Sequence, residues 1–544
     1  MSNAALDQAL SEWAVLLGPA HVVTDAKSVE PFNVSTFASP FRTPAILRPA
    51  TTAELQECLR IANRLKVPVY PISSGMNWGY GSRLPSSDGC VVIELSRMNR
   101  ILEFDEDLGY VTVEPGVTQQ QLFDFLKERK SRLWMDATGA HPDCSLIGNT
   151  VERGFGHTPY ADHFANSCGL EVVLPTGEIV ETGFARFEGA KAAPAYRWGV
   201  GPTLDGMFSQ SNLGIVTRMS IWLMPIPEHF EAYSFQCSDG ALAAVIDALR
   251  PLRMDGTLRS AVHIGNDYKV LSARQQYPWD ESAGETPLSA GNINPFRKKL
   301  HFSAWNGFGA LYGTRTQVAE SKRLLKRALA GKTADLKFLN DRKIRLLARL
   351  AKPLSLLTGW DINGILEVVE PVYELMRGVP TDKPLSSTYW RKRTAVPSKM
   401  DPDRDRCGLL WCSPVTPTHG AEAQRLVQLS CDLVLSHGFE PIISLTLITE
   451  RAIACIISLS YDRDIDGEDA RAMACYKALL RTAMEAGYYP YRLGVQSMWA
   501  MESGNGFDQL LRSIKDVIDP NGILAPGRYE PPRQPVPQSY SQSA

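Results

Sequence analysis

At 544 residues with 44% hydrophobic content, the chain is long enough for two or three domains, each with a core of its own. A formal net charge of −2 excludes the electrostatic footprint of a nucleic-acid binder or of a protein held on an anionic membrane, so a small-molecule partner and no nucleic acid is expected. The opening MSNAALDQAL lacks the basic end and apolar core of a signal peptide, and no apolar run of about 18 residues could span a bilayer. A cytoplasmic protein without a membrane span is the expectation. Ten cysteines without CxxC pairs or His-rich spacing suggest reduced core residues, with neither a disulfide framework nor a metal site.

In chain order, Thr51 and Glu54 read as a capping box, followed at helical spacing by Leu55, Cys58, Leu59, Ala62 and Leu65. The strand-like VPVY comes next, and then PISSGMNWGYGS, Pro71 to Ser82. Three glycines and three serines there cannot pack side chains, but they can bring backbone N–H groups up to an anion. A tight surface loop is the alternative reading, yet Trp78 and Tyr80 among the glycines suit a cofactor or an aromatic substrate better. Strands are expected at Val91 to Leu95 and at Tyr110 to Gly116, and a helix opened by Thr118 with Gln121 at the capping-box position. A second glycine-bearing region, DATGAHPDCSLIGNTVERGFG, runs from Asp136 to Gly156. The strand LEVVLP and a turn at Thr176-Gly177 follow, then a long loop returning through FSQSNLGIVTRMSIWLMP to a buried strand.

Near Pro225 to His229 the texture changes, and until about Gly487 the glycine loops give way to helical segments such as Val318 to Leu329 and Ala421 to Leu435. Tyr277 to Pro295, rich in Pro, Gly and Asn, reads as loop. KFLNDRKIRLLARLAKPLSLL is basic and amphipathic, a solvated helix with its apolar side on the core rather than a membrane-surface element. DPNGILAPGRY returns to the turn-rich style of the first half. The expected organisation is 1–228, 229–487 and 488–532, with a disordered tail at 533–544.

SSGMNWGYG, EPGVT, LIGNTVERGFGHTPYADHF, GLEVVLPTGE, GPTLDGMFSQSNLGIVT and DPNGILAPG occur in that order, and together they resemble the vanillyl-alcohol oxidase / p-cresol methylhydroxylase family of flavoproteins. The resemblance implies an α+β, two-domain FAD-binding fold. Residues 1–228 would form the FAD domain, 229–487 a cap over the flavin ring, and 488–532 a segment returning to the FAD domain and active site. It also implies that FAD is held by Pro71, Ser73, Ser74, Gly75, Met76, Asn77 and Gly79 in the first loop and by Cys144, Gly148, Asn149, Gly154 and Gly156 in the second. Gly214, Ile215, Val216 and Arg528 complete that set. No Rossmann GxGxxG unit is present, and none is needed where loop amides cradle a pyrophosphate.

By the same resemblance Tyr80, Tyr491 and Arg492 correspond to the two tyrosines and the arginine that bind the phenolic oxygen of para-substituted phenols. A cation with two hydroxyl donors stabilises a phenolate, which eases hydride loss to flavin N5 and leaves a quinone methide. Glu152 stands where eugenol-type relatives carry an Asp, and a raised pKa is expected for it if no cation neutralises it. Leu409 occupies the slot of the flavin-linking residue, so FAD is not expected to be attached through histidine. Cys144 falls where the berberine-bridge group has a flavin-linked cysteine, with an unreactive thiol as the alternative. The implied activity is FAD-dependent oxidation of a para-substituted phenol with oxygen as acceptor, by a homodimer as is usual in the family. The alternatives are oxidation of a non-phenolic alcohol or a secondary-metabolite intermediate, a dehydrogenase with a protein acceptor, and a redox-inactive flavin protein.

Overall fold

The structure, a computed structural model, describes residues 3–358 and 362–532, so the 533–544 tail lies outside the described residues. The first expected helix forms over Thr52–Leu65: Thr51 accepts the Glu54 N–H at 3.1 Å, and Leu55, Cys58, Leu59 and Ala62 bury one face. Glu54 does not close a reciprocal capping box, because its carboxylate accepts from the Ala50 N–H instead, at 2.7 Å. Gln121 likewise turns away from its cap, Thr118, and donates to the Asn99 carbonyl.

The strand Val69–Ile72 pairs in parallel with Val91–Glu94, which pairs in parallel with Ile46–Leu47, and Val22–Val23 completes a four-stranded sheet. The far end of the chain returns here: Val69 N–H donates to the Ile523 carbonyl and Ala525 N–H to the Val69 carbonyl, both at 2.8 Å. A five-stranded antiparallel sheet follows in the order Ile101–Asp105, Tyr110–Val113, Ile215–Trp222, Ser167–Val173 and Ile179–Glu181.

Between residues 229 and 462 the chain builds an eight-stranded antiparallel sheet, where the sequence reading found only helical segments. In IISLTL, Ser444 and Thr446 alternate with Leu445 and Leu447, and in AIACIISLSY Ser458 and Ser460 flank Leu459, a period-two signal that the sequence reading passed over. Along its central strands, Ile264, Ile443, Leu445, Leu447 and Ile457 enter a core shared with the helices Leu242–Met254, Arg315–Leu329, Gly420–Ser436 and Glu468–Glu485. The alternate residues His263, Ser444, Thr446, Ile456 and Ser458 point to the other face, which lines a cavity.

Part of the expected loop 277–295 is a helix, Ala290–Lys299, because Ser289 caps it through the Asn292 N–H and Ile293 and Phe296 are buried. The basic amphipathic segment becomes the end of the strand Ala334–Leu339 and the helix Asp341–Thr358, with Ile344 and Ala351 buried and Leu346 and Leu350 exposed. No helix among the described residues is long and apolar enough to cross a membrane. All ten cysteines are free, and only Cys431 is not buried.

Candidate active site

The two glycine regions and the cavity-facing side of the eight-stranded sheet enclose a cavity of about 440 Å³. Every residue singled out from the sequence lines it except Gly79 and Gly156. Those two serve packing: a Cβ at Gly79 would lie 3.2 Å from the Trp411 ring, and one at Gly156 would overlap Asp136 Oδ2.

After Ile72 the chain leaves its sheet, and the backbone N–H groups of Ser73, Ser74, Gly75, Met76 and Asn77 have no acceptor among the described residues. Five successive free donors on a cavity wall form an anion cradle, since buried amide groups are otherwise almost always paired. Gly75 sits at φ 70°, in the left-handed region that favours glycine. Gly148 lets the second loop close on the first, because a Cβ there would stand 3.1 Å from Ser73 Oγ. This donor set fits the pyrophosphate of FAD, and Ser73 to Asn77 would hold it.

Tyr80, Tyr491 and Arg492 meet in the cavity. The Arg492 guanidinium lies over the Tyr80 ring, 4.5 Å from its centre, and the Tyr491 side chain lines the same cavity. Burial raises the pKa of each phenol, strongly at Tyr80, and Arg492 opposes the rise. Tyr80 Oη shares a 2.6 Å hydrogen bond with Ser413 Oγ.

The condition set for a raised Glu152 pKa is not met, because two cations neutralise the carboxylate and its pKa is lowered. Burial alone would push the carboxyl up, but Arg528 and Arg492 outweigh it. Arg528 donates to Oε1 at 2.7 Å, Arg492 Nε to Oε2 at 3.2 Å, and the Tyr529 hydroxyl to Oε2 at 2.8 Å. The neighbouring Arg153 turns elsewhere, to Ser209. Arg492 is further held by Asn77, whose Oδ1 accepts from Nη2 at 2.6 Å. Arg528 and Asn77, expected only as cofactor residues, are thus also braces of this cluster.

On the cap side, Leu409 and Trp411 stand beside Trp78, with Leu409 in the strand Cys407–Cys412. The His157 and His263 rings lie 4.7 Å apart, and burial holds both below the usual histidine range, so both are neutral. His263 Nδ1 pairs with Thr446 Oγ1 at 3.1 Å, while Nε2 has no hydrogen-bond partner among the described residues. Burial pushes the Cys144 thiol up to about 12. Sequence reasoning missed Ser413, Tyr529, His157 and His263. Tyr529 and His157 carried a signal, as the residues after Arg528 and Gly156 in quoted motifs.

Residues 43–183 match a family model described as an FAD binding domain. The chain is 44% identical over 533 residues to 1'-carboxy-chondrochloren decarboxylase of Chondromyces crocatus, covering 97% of this chain and 98% of that one. It is 32% identical over 538 residues to the 4-cresol dehydrogenase [hydroxylating] flavoprotein subunit of Pseudomonas putida, covering 97% and 96%. A crystal structure of p-cresol methylhydroxylase with substrate bound superposes with a TM-score of 0.88 at 29% identity, over 98% of each chain.

Proposed function

The chain belongs to the vanillyl-alcohol oxidase / p-cresol methylhydroxylase family and is an FAD-dependent oxidoreductase, and on that premise we propose that it oxidises a para-substituted phenol. The observation that carries this reading is the convergence of Arg492, Tyr80 and Tyr491 on one cavity wall, roughly 400 positions apart in the chain. When bound, FAD supplies the two-electron oxidant. The protein's part is to take a neutral phenol and hold it as a phenolate. A fixed guanidinium with two phenol donors is a receptor for one aryloxide oxygen, and it lowers the pKa of the bound phenol from about 10. In this reading Ser413 is the donor to Tyr80 Oη, which leaves the Tyr80 proton for the substrate oxygen. Glu152 keeps Arg492 oriented, and because two arginines share that one carboxylate the cluster keeps a positive charge for the anion. Charge pushed from the phenolate to the para position eases hydride loss there and leaves a quinone methide. Oxygen is the electron acceptor in this reading, and FAD is bound without a histidyl link, in keeping with Leu409 at the linking position.

A second reading is favoured by the relative from Chondromyces crocatus, whose name is that of a decarboxylase. Hydride would leave the carbon next to the ring, and the electron pair of an adjacent C–COO⁻ bond would then close a double bond as carbon dioxide departs. The phenolate anchor serves both reactions. Anaerobic addition of a 4-alkylphenol to the purified flavoprotein tests the first: the flavin absorbance should bleach within seconds, and an unchanged spectrum would refute it.

A further inference from the structure

The wall that the eight-stranded sheet gives to the cavity carries a cation that none of the described residues neutralises. Lys269 lies in the first turn of the helix Asp267–Arg274, capped by Asn266, whose Oδ1 accepts the Lys269 backbone N–H at 3.0 Å. Its side chain crosses Gly265, where a Cβ would come within 3.2 Å of Lys269 Cγ, so the glycine gives the stem its bed on the strand. Gly265 pairs with Ser444 on the next strand, and Lys269, Ser444 and His263 line the same cavity as Arg492. Among the described residues, none accepts a hydrogen bond or ion pair from the Lys269 amine. The adjacent Asp267 is taken by Arg297, whose Nε donates to it at 3.0 Å.

A lysine so placed is unfavourable on three counts. It is partly withdrawn from bulk water, it stands at the positive end of a helix, and no described residue is its counter-ion. Burial is the one influence on its basicity, which it lowers. Methionine would span the same length without any of these penalties. A ligand carboxylate would supply the counter-ion that the described residues lack. The phenolic oxygen is already provided for by Arg492, so the carboxylate belongs to another part of the molecule.

We propose that Lys269 is the receptor for a carboxylate on the para substituent, so that the substrates are 4-hydroxyphenyl compounds with an acidic side chain, held at both ends. The phenol end rests on the function proposed above, and the acidic end on Lys269 alone.

The test measures equilibrium binding to the FAD-loaded protein, read by perturbation of the flavin absorbance. The probes are (4-hydroxyphenoxy)acetate, 4-(4-hydroxyphenoxy)butanoate and their primary amides. An ether oxygen replaces the carbon next to the ring, so no hydride can leave and binding is seen without turnover. At least one acid should bind about tenfold or more tightly than its amide, a modest return for a desolvated charge pair. Lys269→Met and Lys269→Gln, the second guarding against a folding defect in the first, should each abolish that preference and leave 4-methoxyphenol binding within about twofold. Equal binding of both acids and their amides to the parent, or a preference that survives in both variants, would overturn the proposal. Failure of the phenol reading looks different: acids lacking the ring hydroxyl would bind as well as those bearing it, and the Lys269-dependent preference for acid over amide would remain.

Discussion

The Arg492 guanidinium stands face-on to the Tyr80 ring, 4.5 Å from its centre, while Nε and Nη2 are tied to Glu152 and Asn77. The cation is thereby fixed in orientation as well as position, which a lysine ammonium could not reproduce. Arg492→Lys should keep FAD and fold but lower kcat/KM for a 4-alkylphenol by about 10²–10³, the scale of losing one preorganised donor to a developing anion. Steady-state kinetics of the variant check this, and a loss below about threefold would detach Arg492 from the chemistry.

Glu152 is the shared counter-ion of Arg492 and Arg528, so Glu152→Gln leaves two buried guanidinium groups without one. Breaking such a pair from one side costs on the order of 3 kcal/mol. Because the folded-state pKa of Glu152 is depressed, its contribution is fully present above the unfolded-state value of about 4.3 and is lost as pH falls through the lower folded value. The gap in Tm between parent and Glu152→Gln should therefore be constant from about pH 6 to 8 and shrink below about pH 4.3. Substrate reduction of the flavin should slow in the variant at all these pH values, because Arg492 loses its brace.

Cys144 lines the cavity, but burial holds its thiol near 12, far from the thiolate that would react with a flavin ring. With Leu409 where the family resemblance puts the other linking residue, acid precipitation should release yellow FAD into the supernatant. Colour that stays with the pellet in the parent and leaves it in Cys144→Ala would establish a cysteinyl link instead.

Gly75 holds a positive φ of 70° at the middle of the five unpaired amides. Alanine there is strained by about 1–2 kcal/mol, and its methyl group would meet Arg83. Gly75→Ala should purify with less than about half the flavin of the parent, with a far-UV spectrum unchanged. Full flavin content would show that the loop does not cradle the cofactor.

The parts of this architecture legible in the sequence are those where backbone chemistry constrains residue type. The Pro71 to Ser82 loop announced itself because only glycine and serine suit exposed amides, and the Thr51 cap because a hydroxyl must meet a free N–H. The reciprocal half of that cap was not legible, since Glu54 had a competing donor in Ala50 that only the fold brings near. The strands of the large sheet carried an alternation, as in Ser444 to Leu447, but six-residue runs such as IISLTL did not stand out among the longer helical segments. Whether a cation neutralises Glu152 was not legible, because both arginines come from more than 300 positions away. Lys269 left no trace at all: a lysine at the third position of a helix reads as solvent-exposed until the cavity is seen.

The central claim is that the pocket reads a phenolate, and the direct measurement compares flavin reduction by a 4-alkylphenol with that by the matching 4-alkylanisole, in the parent and in Arg492→Ala. The anisole cannot ionise, so the parent should reduce with the phenol far faster, and Arg492→Ala should lose about 2–4 kcal/mol of that advantage, roughly 30- to 1,000-fold. Equal rates for the two compounds in the parent would contradict the account, and oxidation of a non-phenolic group on the same scaffold would then be the better reading.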